Sequence, residues 1–165
     1  MITVRRIRAD EAELLRSLRL AALDDAPGDA TTTVARTAAL GEDHWTEAAA
    51  ANAAGGLQAT FFAEVEGVAL PIGMIGAYAN QSGVVNLVGL WSAPGHRDVG
   101  VAPALIDAVA DWARASGADR LRLWVVRRNE FAQAFYVREG FAATGTSMPY
   151  EPDPRIDQVE MVLHL

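Results

Sequence analysis

Apolar and polar positions alternate over residues 3–8, the period of a half-buried strand. The spacing then changes to three and four residues at Leu14, Leu15, Leu18 and Ala22, the period of a helix. Asp10 stands where it would cap that helix, and Asp-Ala-Pro-Gly at 25–28 would end it. An alanine-rich helix is predicted over 42–54, anchored by Trp45 and stopped by Gly55-Gly56. Strand-like runs follow at 59–65, 70–79 and 84–92, separated by Glu66-Gly67 and by Asn80-Gln-Ser-Gly83, which predicts an antiparallel meander.

The most regular helix comes next. Val101, Leu105, Ala108, Val109 and Trp112 form one stripe, Asp107, Asp111 and Arg114 face away, and Ser116-Gly117 closes it. A short strand at 121–126, a short helix at 130–138, and strands at 141–146 and 158–165 around a proline-rich loop complete the chain. No linker or repeat divides it, so residues 1–165 are expected to form a single domain of mixed α/β (α+β) class.

Composition removes several chemistries. With no cysteine, disulfides, thiolate metal sites and acyl-cysteine intermediates are excluded, so any acyl transfer must be direct. All 14 basic residues are arginine, which excludes Schiff-base lysines and the lysine of a phosphate-binding Walker loop. A net charge of −7 argues against nucleic acid as a partner. No apolar run of bilayer length and no signal-peptide pattern appears, so no membrane association and a cytoplasmic location are expected. His44, His96 and His164 lack metal-ligand spacing, and no metal is expected. No Gly-x-Ser-x-Gly or Gly-x-Gly-x-x-Gly motif occurs.

Charge is uneven. Residues 10–66 are rich in acids, whereas residues 114–138 carry six arginines against Asp119 and Glu130, so one end suits a cation and the other an anion. The segment Leu90-Trp-Ser-Ala-Pro-Gly-His-Arg-Asp-Val-Gly-Val-Ala102 joins an apolar strand to the long helix through a glycine-containing loop. Gly100 and Ala102 permit close backbone approach, the helix N-terminus offers free N–H groups, and Arg97 adds a forked cation. Alone, this also describes a surface turn with a solvated arginine.

Two motifs in order carry a more specific signal. Arg97-Asp-Val-Gly100-Val-Ala102 resembles the pyrophosphate loop of the GNAT superfamily of N-acetyltransferases, and Asn129, Ala132, Tyr136, Gly140 and Phe141 match its Asn-x-x-Ala-x-x-x-Tyr-x-x-x-Gly-Phe segment without insertion. The resemblance implies a mixed, mostly antiparallel sheet with helices on both faces and a coenzyme A cleft where the central strands splay apart. It implies acetyl-CoA as co-substrate, held by Leu90, Trp91 and Ser92 on the strand, by Arg97, Asp98, Val99, Gly100, Val101 and Ala102 in the loop and helix, and by Asn129. Asn129 also suits a helix N-cap. Asp98 stands where the family commonly has glycine, and Pro103 removes one N–H from the first helical turn.

In such a reaction Tyr136 would protonate the departing thiolate, and N–H groups near residues 90–92 would stabilise the charge on the carbonyl oxygen. Many relatives place a glutamate base where this chain has Asn86, which could instead hold a water that relays the proton; Glu64 is a second candidate. The acceptor implied is a primary amine, on a small molecule or a protein. Asp24, Asp25, Asp29, Glu42, Asp43, Glu47, Glu151 and Asp153 would steer a cation or simply form a solvated surface. A non-catalytic acyl-CoA-binding module, another acyl donor and a hydroxyl acceptor remain alternatives, and the apolar C-terminal strands allow a homodimer.

Overall fold

A computed structural model describes residues 1–25, 34–151 and 153–165. Strand β1 (Ile2–Arg6) leads into helices α1 (Ala12–Asp25), α2 (Val34–Ala38) and α3 (Glu42–Ala53), then strands β2 (Gln58–Val65), β3 (Gly73–Gln81) and β4 (Val84–Ser92). Helix α4 (Val101–Ala115), β5 (Arg120–Val126), α5 (Glu130–Arg138), β6 (Ala142–Tyr150) and β7 (Asp153–His164) follow. The strands form one seven-stranded sheet in the order β1-β2-β3-β4-β5-β7-β6, antiparallel except where β4 meets β5. It is the mixed, mostly antiparallel sheet that was expected, with helices on both faces.

Alternation along the strands sorts the core onto those two faces. Phe62 and Met74 join Ile7, Leu15, Leu18, Trp45 and Ala49 beneath α1 and α3. Ala63, Ile75, Val85 and Leu87 meet Val101, Leu105, Val109 and Ala113 of α4 on the opposite face. The buried stripe of α4 also takes in Ile106 and Ala110, while Ala108 and Trp112 are only partly covered. Gly73 is needed where α4 crosses the sheet: a Cβ there would lie 2.5 Å from Val101 Cγ1.

Three local expectations change. Asp10 makes no capping bond to a described residue; Glu11 instead accepts from the Arg8 N–H at 2.8 Å and from both Arg5 Nη atoms at 2.8 Å. Helix α2, absent from the periodicity reading, is a five-residue turn too short to show a pattern. The proline-rich loop is largely strand, with Pro149 in β6 and Pro154 in β7. Strand β6 is the sheet edge, and β7 pairs with β5 only from Gln158 onward, so neither proline removes a bond from a ladder shared on both sides. Helix α1 is described as far as Asp25; the Pro27-Gly28 stop lies outside the described residues, as does Asp29.

Candidate active site

Strands β4 and β5 pair in parallel only through Val84, Val85 and Asn86 with Arg120, Leu121 and Arg122. Beyond that point each continues without the other, β4 to Ser92 and β5 to Val126, and the sheet opens. On the β4 wall the register passes from Gly76 opposite Val88 to Met74 opposite Trp91, so Gly89 and Leu90 together face the single residue Ile75. This is a β-bulge, and Gly89 takes it with φ of 62°. The extra residue flips the alternation: Val85 and Leu87 point to the α4 side before it, and Leu90 points there after it. Peptide groups at a bulge leave the regular ladder, which makes residues 89–90 the place on this strand where an N–H can serve a ligand.

At the end of β4, Ser92 still pairs with Gly73, and Ala93 N–H donates to Ile72 O at 2.8 Å. The loop then turns through Gly95 at φ 86°, Asp98 at φ 62° and Gly100 at φ 92°. Asp98 is the single described non-glycine residue with positive φ, a left-handed conformation that favours glycine and that aspartate tolerates. Gly100 caps α4 without a side-chain hydrogen bond, and the first intrahelical bond runs from Ala104 N–H to Gly100 O. The N–H groups of Val101 and Ala102 therefore face the loop, and Pro103 contributes none. Val99 is exposed on the same turn.

Arg97 is not simply solvated. Its Nε donates to Ser92 O at 3.2 Å and its Nη2 pairs with Asp25 at the C-terminus of α1, tying that helix to the loop. Asn129 caps α5, accepting from Ala132 N–H at 3.0 Å. Tyr136 is half-buried on α5, edge-on to Phe135 and Phe141, with no hydrogen bond from its hydroxyl to a described residue. Burial pushes its pKa up to about 12, so the phenol stays protonated at any physiological pH.

Asn86 corrects the sequence expectation. It is 2 % exposed, its Nδ2 donates to Tyr78 O and Asn80 Oδ1, and its Oδ1 accepts from Arg122 Nε at 2.8 Å. It fastens β3, β4 and β5 just before the sheet opens, and a water relay has no access to it. Glu64 is likewise held on β2 by Arg5 Nε at 2.7 Å, opposite Thr3 near the far edge of the sheet.

On the helical face of β2, β3 and β4 lies a cavity of about 320 Å³ that sequence reasoning missed. Arg19 of α1, Thr37, His44, Trp45 and Asn52 of the following helices, and Thr60, Gly76, Tyr78 and Val88 of the sheet line it, and among the described residues no Asp or Glu does. Its polar residues come from five elements far apart in sequence, so no local motif announces it. Of the acids expected to steer a cation, Asp25 is paired with Arg97, Glu42, Asp43 and Glu47 are exposed on α3, and Asp153 is paired with Arg155. The indole N–H groups of Trp45 and Trp91 are buried without an acceptor. A second cavity of similar size, beneath β5 and β7, holds Arg122 and Glu160, which satisfy each other at 3.6 Å. No cluster of His, Asp or Glu able to hold a metal occurs among the described residues. None of the described helices is long and apolar enough to cross a membrane.

The opened strands, the bulge and the uncapped, glycine-rich start of α4 together fit a thioester with a pyrophosphate-bearing tail, since each supplies backbone N–H donors rather than competing side chains. Solved structures with the same fold include a GNAT acetyltransferase from Streptococcus pneumoniae, 22% identical, with TM-score 0.80 over 100% of this chain and 99% of that one. PaiA N-acetyltransferase from Thermoplasma acidophilum, in complex with coenzyme A, is 16% identical with TM-score 0.76, covering 100% and 99%. YncA from Salmonella typhimurium, with its cofactor acetyl-CoA, is 18% identical with TM-score 0.73, covering 100% and 94%. Comparison with curated proteins finds no match. The family model "Acetyltransferase (GNAT) family" matches residues 21–141, most of the chain and both motif segments, and the protein accordingly belongs to the GNAT acetyltransferases, enzymes of acetyl-CoA-dependent acyl transfer.

Proposed function

We propose that this enzyme moves the acetyl group directly onto a primary amine. The observation that carries the choice of acceptor is that no carboxylate of a described residue lines the cavity on the α1 and α3 face. A hydroxyl group needs a strong, oriented base before it becomes a useful nucleophile, and the lining offers no His–carboxylate pair to supply one. An amine that enters neutral is already nucleophilic, and the proton it sheds after attack passes to His44 on the cavity wall or to bulk water while the sulfur leaves as a thiol.

Bound acetyl-CoA supplies an activated acyl group on a sulfur leaving group. Val101 and Ala102 N–H, with the forked guanidinium of Arg97, hold the pyrophosphate at the start of α4. The bulged backbone at Gly89 and Leu90, continuing through Trp91 and Ser92, aims N–H donors at the thioester oxygen, where negative charge grows during attack. Tyr136 gives its proton to the departing sulfur; a phenol kept neutral by its surroundings is the correct state for an acid.

Tyr136→Phe is the test. Free-thiol release from acetyl-CoA across an amine panel should fall by roughly a hundredfold or more in kcat, with coenzyme A affinity by calorimetry unchanged. Full activity in the variant removes Tyr136 from the chemistry. Coenzyme A binding without turnover of any amine by the native protein would favour the non-catalytic binding module.

A further inference from the structure

Arg19 is the feature of the cavity that no described residue accounts for. Among the partly exposed arginines, Arg5 is held by Glu11 and Glu64, Arg6 by the carbonyls of Asn52 and Gln58, Arg16 by Glu13, Arg120 by Asp119, and Arg122 by Asn86 and Glu160. Arg19 has neither a hydrogen bond nor an ion pair with any described residue, although it lies inside the fold one turn beyond Leu15. One glycine clears its place: a Cβ on Gly89 would collide with Arg19 Nη1. The guanidinium thus rests against the bulge of β4, with no acid among the described residues of the cavity wall to neutralise it.

A partly desolvated guanidinium with five donors and no acceptor is costly unless a ligand completes it, and its planar fork matches a carboxylate in two parallel bonds. Burial also holds its pKa below the usual arginine value, as expected where no counter-ion offsets desolvation. We propose that the acceptor is an amine that also carries a carboxylate, an amino acid or close analogue, and that Arg19 receives that carboxylate and sets the amine against the bulge. This rests on the amine-transfer reading and deepens it. The cationic cavity takes the place of the acidic steering surface as the determinant of substrate choice, and a bare polyamine is the acceptor it rejects.

The experiment pairs each of the twenty common amino acids with the amine of the same skeleton lacking the carboxylate, and measures kcat/KM by free-thiol release for the native enzyme, Arg19→Gln and Arg19→Lys. Native enzyme should prefer the carboxylate member of its best pair by about 100-fold, with the difference chiefly in KM. Arg19→Gln should abolish the preference by bringing kcat/KM of the carboxylate member down to that of the plain amine, and Arg19→Lys should restore part of it. Calorimetry of the same amino acids against native and Arg19→Gln protein, both checked for an unchanged melting temperature, reads the site without turnover. If no amine reacts yet an amino acid binds in an Arg19-dependent way, the amine-transfer reading fails and the carboxylate site survives. Equal kcat/KM within the pairs, a parallel loss on both members in Arg19→Gln, or no Arg19-dependent binding of any amino acid overturns the proposal; the parallel loss would instead place Arg19 at the thioester oxygen.

Discussion

Asp98 allows electrostatics and backbone strain to be separated at one position. Its carboxylate sits two residues before the Gly100 cap of α4, in the loop expected to hold a pyrophosphate, and it makes no hydrogen bond to a described residue. Two residues of chain span at most about 7 Å, which puts the carboxylate on the order of 8 Å from a phosphate at the helix start. At water-like dielectric, Coulomb's law gives about 0.5 kcal/mol per charge pair at that distance, or roughly 1 kcal/mol against the two charges of a pyrophosphate. Removing the charge in Asp98→Asn should therefore tighten coenzyme A binding about fivefold at low salt. Near physiological ionic strength the separation equals about one Debye length, and the gain should shrink to roughly twofold. Asparagine tolerates the left-handed conformation as well as aspartate does, so the melting temperature should not move. Asp98→Gly should show the same affinity gain, with relief of strain at φ 62° offset by the freedom glycine adds to the unfolded chain. Calorimetric titration with coenzyme A at two salt concentrations reads the effect. Equal or weaker binding by Asp98→Asn at low salt would refute the reasoning and place Asp98 in a direct, favourable contact.

Other consequences are as specific. Gly73→Ala should cost about 1–3 kcal/mol in chemical denaturation, because its Cβ would meet Val101 Cγ1 at 2.5 Å and Trp91 O at 3.0 Å in a packed core; a neutral result would contradict the described seating of α4. Glu11 titrates below the usual carboxylate range because of its hydrogen bonds to Arg5, so its contribution to stability is present above its unfolded pKa and lost as pH falls through the folded one. The melting temperature of Glu11→Gln should accordingly depend less on pH through the acid range than that of native protein. Tyr136 shows the opposite sign: with a folded pKa of about 12 against an ordinary value of 10.0, its contribution is intact below pH ~10 and fades as pH rises through about 12. Its phenol should therefore impose no alkaline limb on kcat below that window. If His44 accepts the proton of the amine, His44→Gln should lower kcat by roughly a hundredfold or more, and an unchanged kcat would assign that step to bulk water.

Much of the sheet and of the coenzyme site was readable because both are local. β4, α5 and the loop between β4 and α4 are contiguous segments in which period, glycine placement and caps agree. Asn86 drew attention as the residue standing where relatives of the resembled family place a glutamate base, whereas its burial pattern points to a structural role. It interrupts the apolar run Val84-Val85-Asn86-Leu87, and a polar residue in a strand covered on both faces is there to satisfy other buried groups. The prolines of β6 and β7 misled for a different reason: whether a strand can carry proline depends on its place in the sheet order, which periodicity does not contain. Arg19 was invisible as a functional residue, since its meaning arises only when α1 packs over the bulge and brings it against Gly89, 70 positions away in the sequence.

The central claim is direct transfer of acetyl to nitrogen without a covalent enzyme intermediate. Purified protein incubated with acetyl-CoA and its best amine should release one free thiol per acetylated product by mass spectrometry, the product should resist hydroxylamine as an amide does, and the protein itself should gain no acetyl mass. Thiol release without an acetylated amine, a hydroxylamine-labile product, or a stable acetyl adduct on the chain required for turnover would contradict the account.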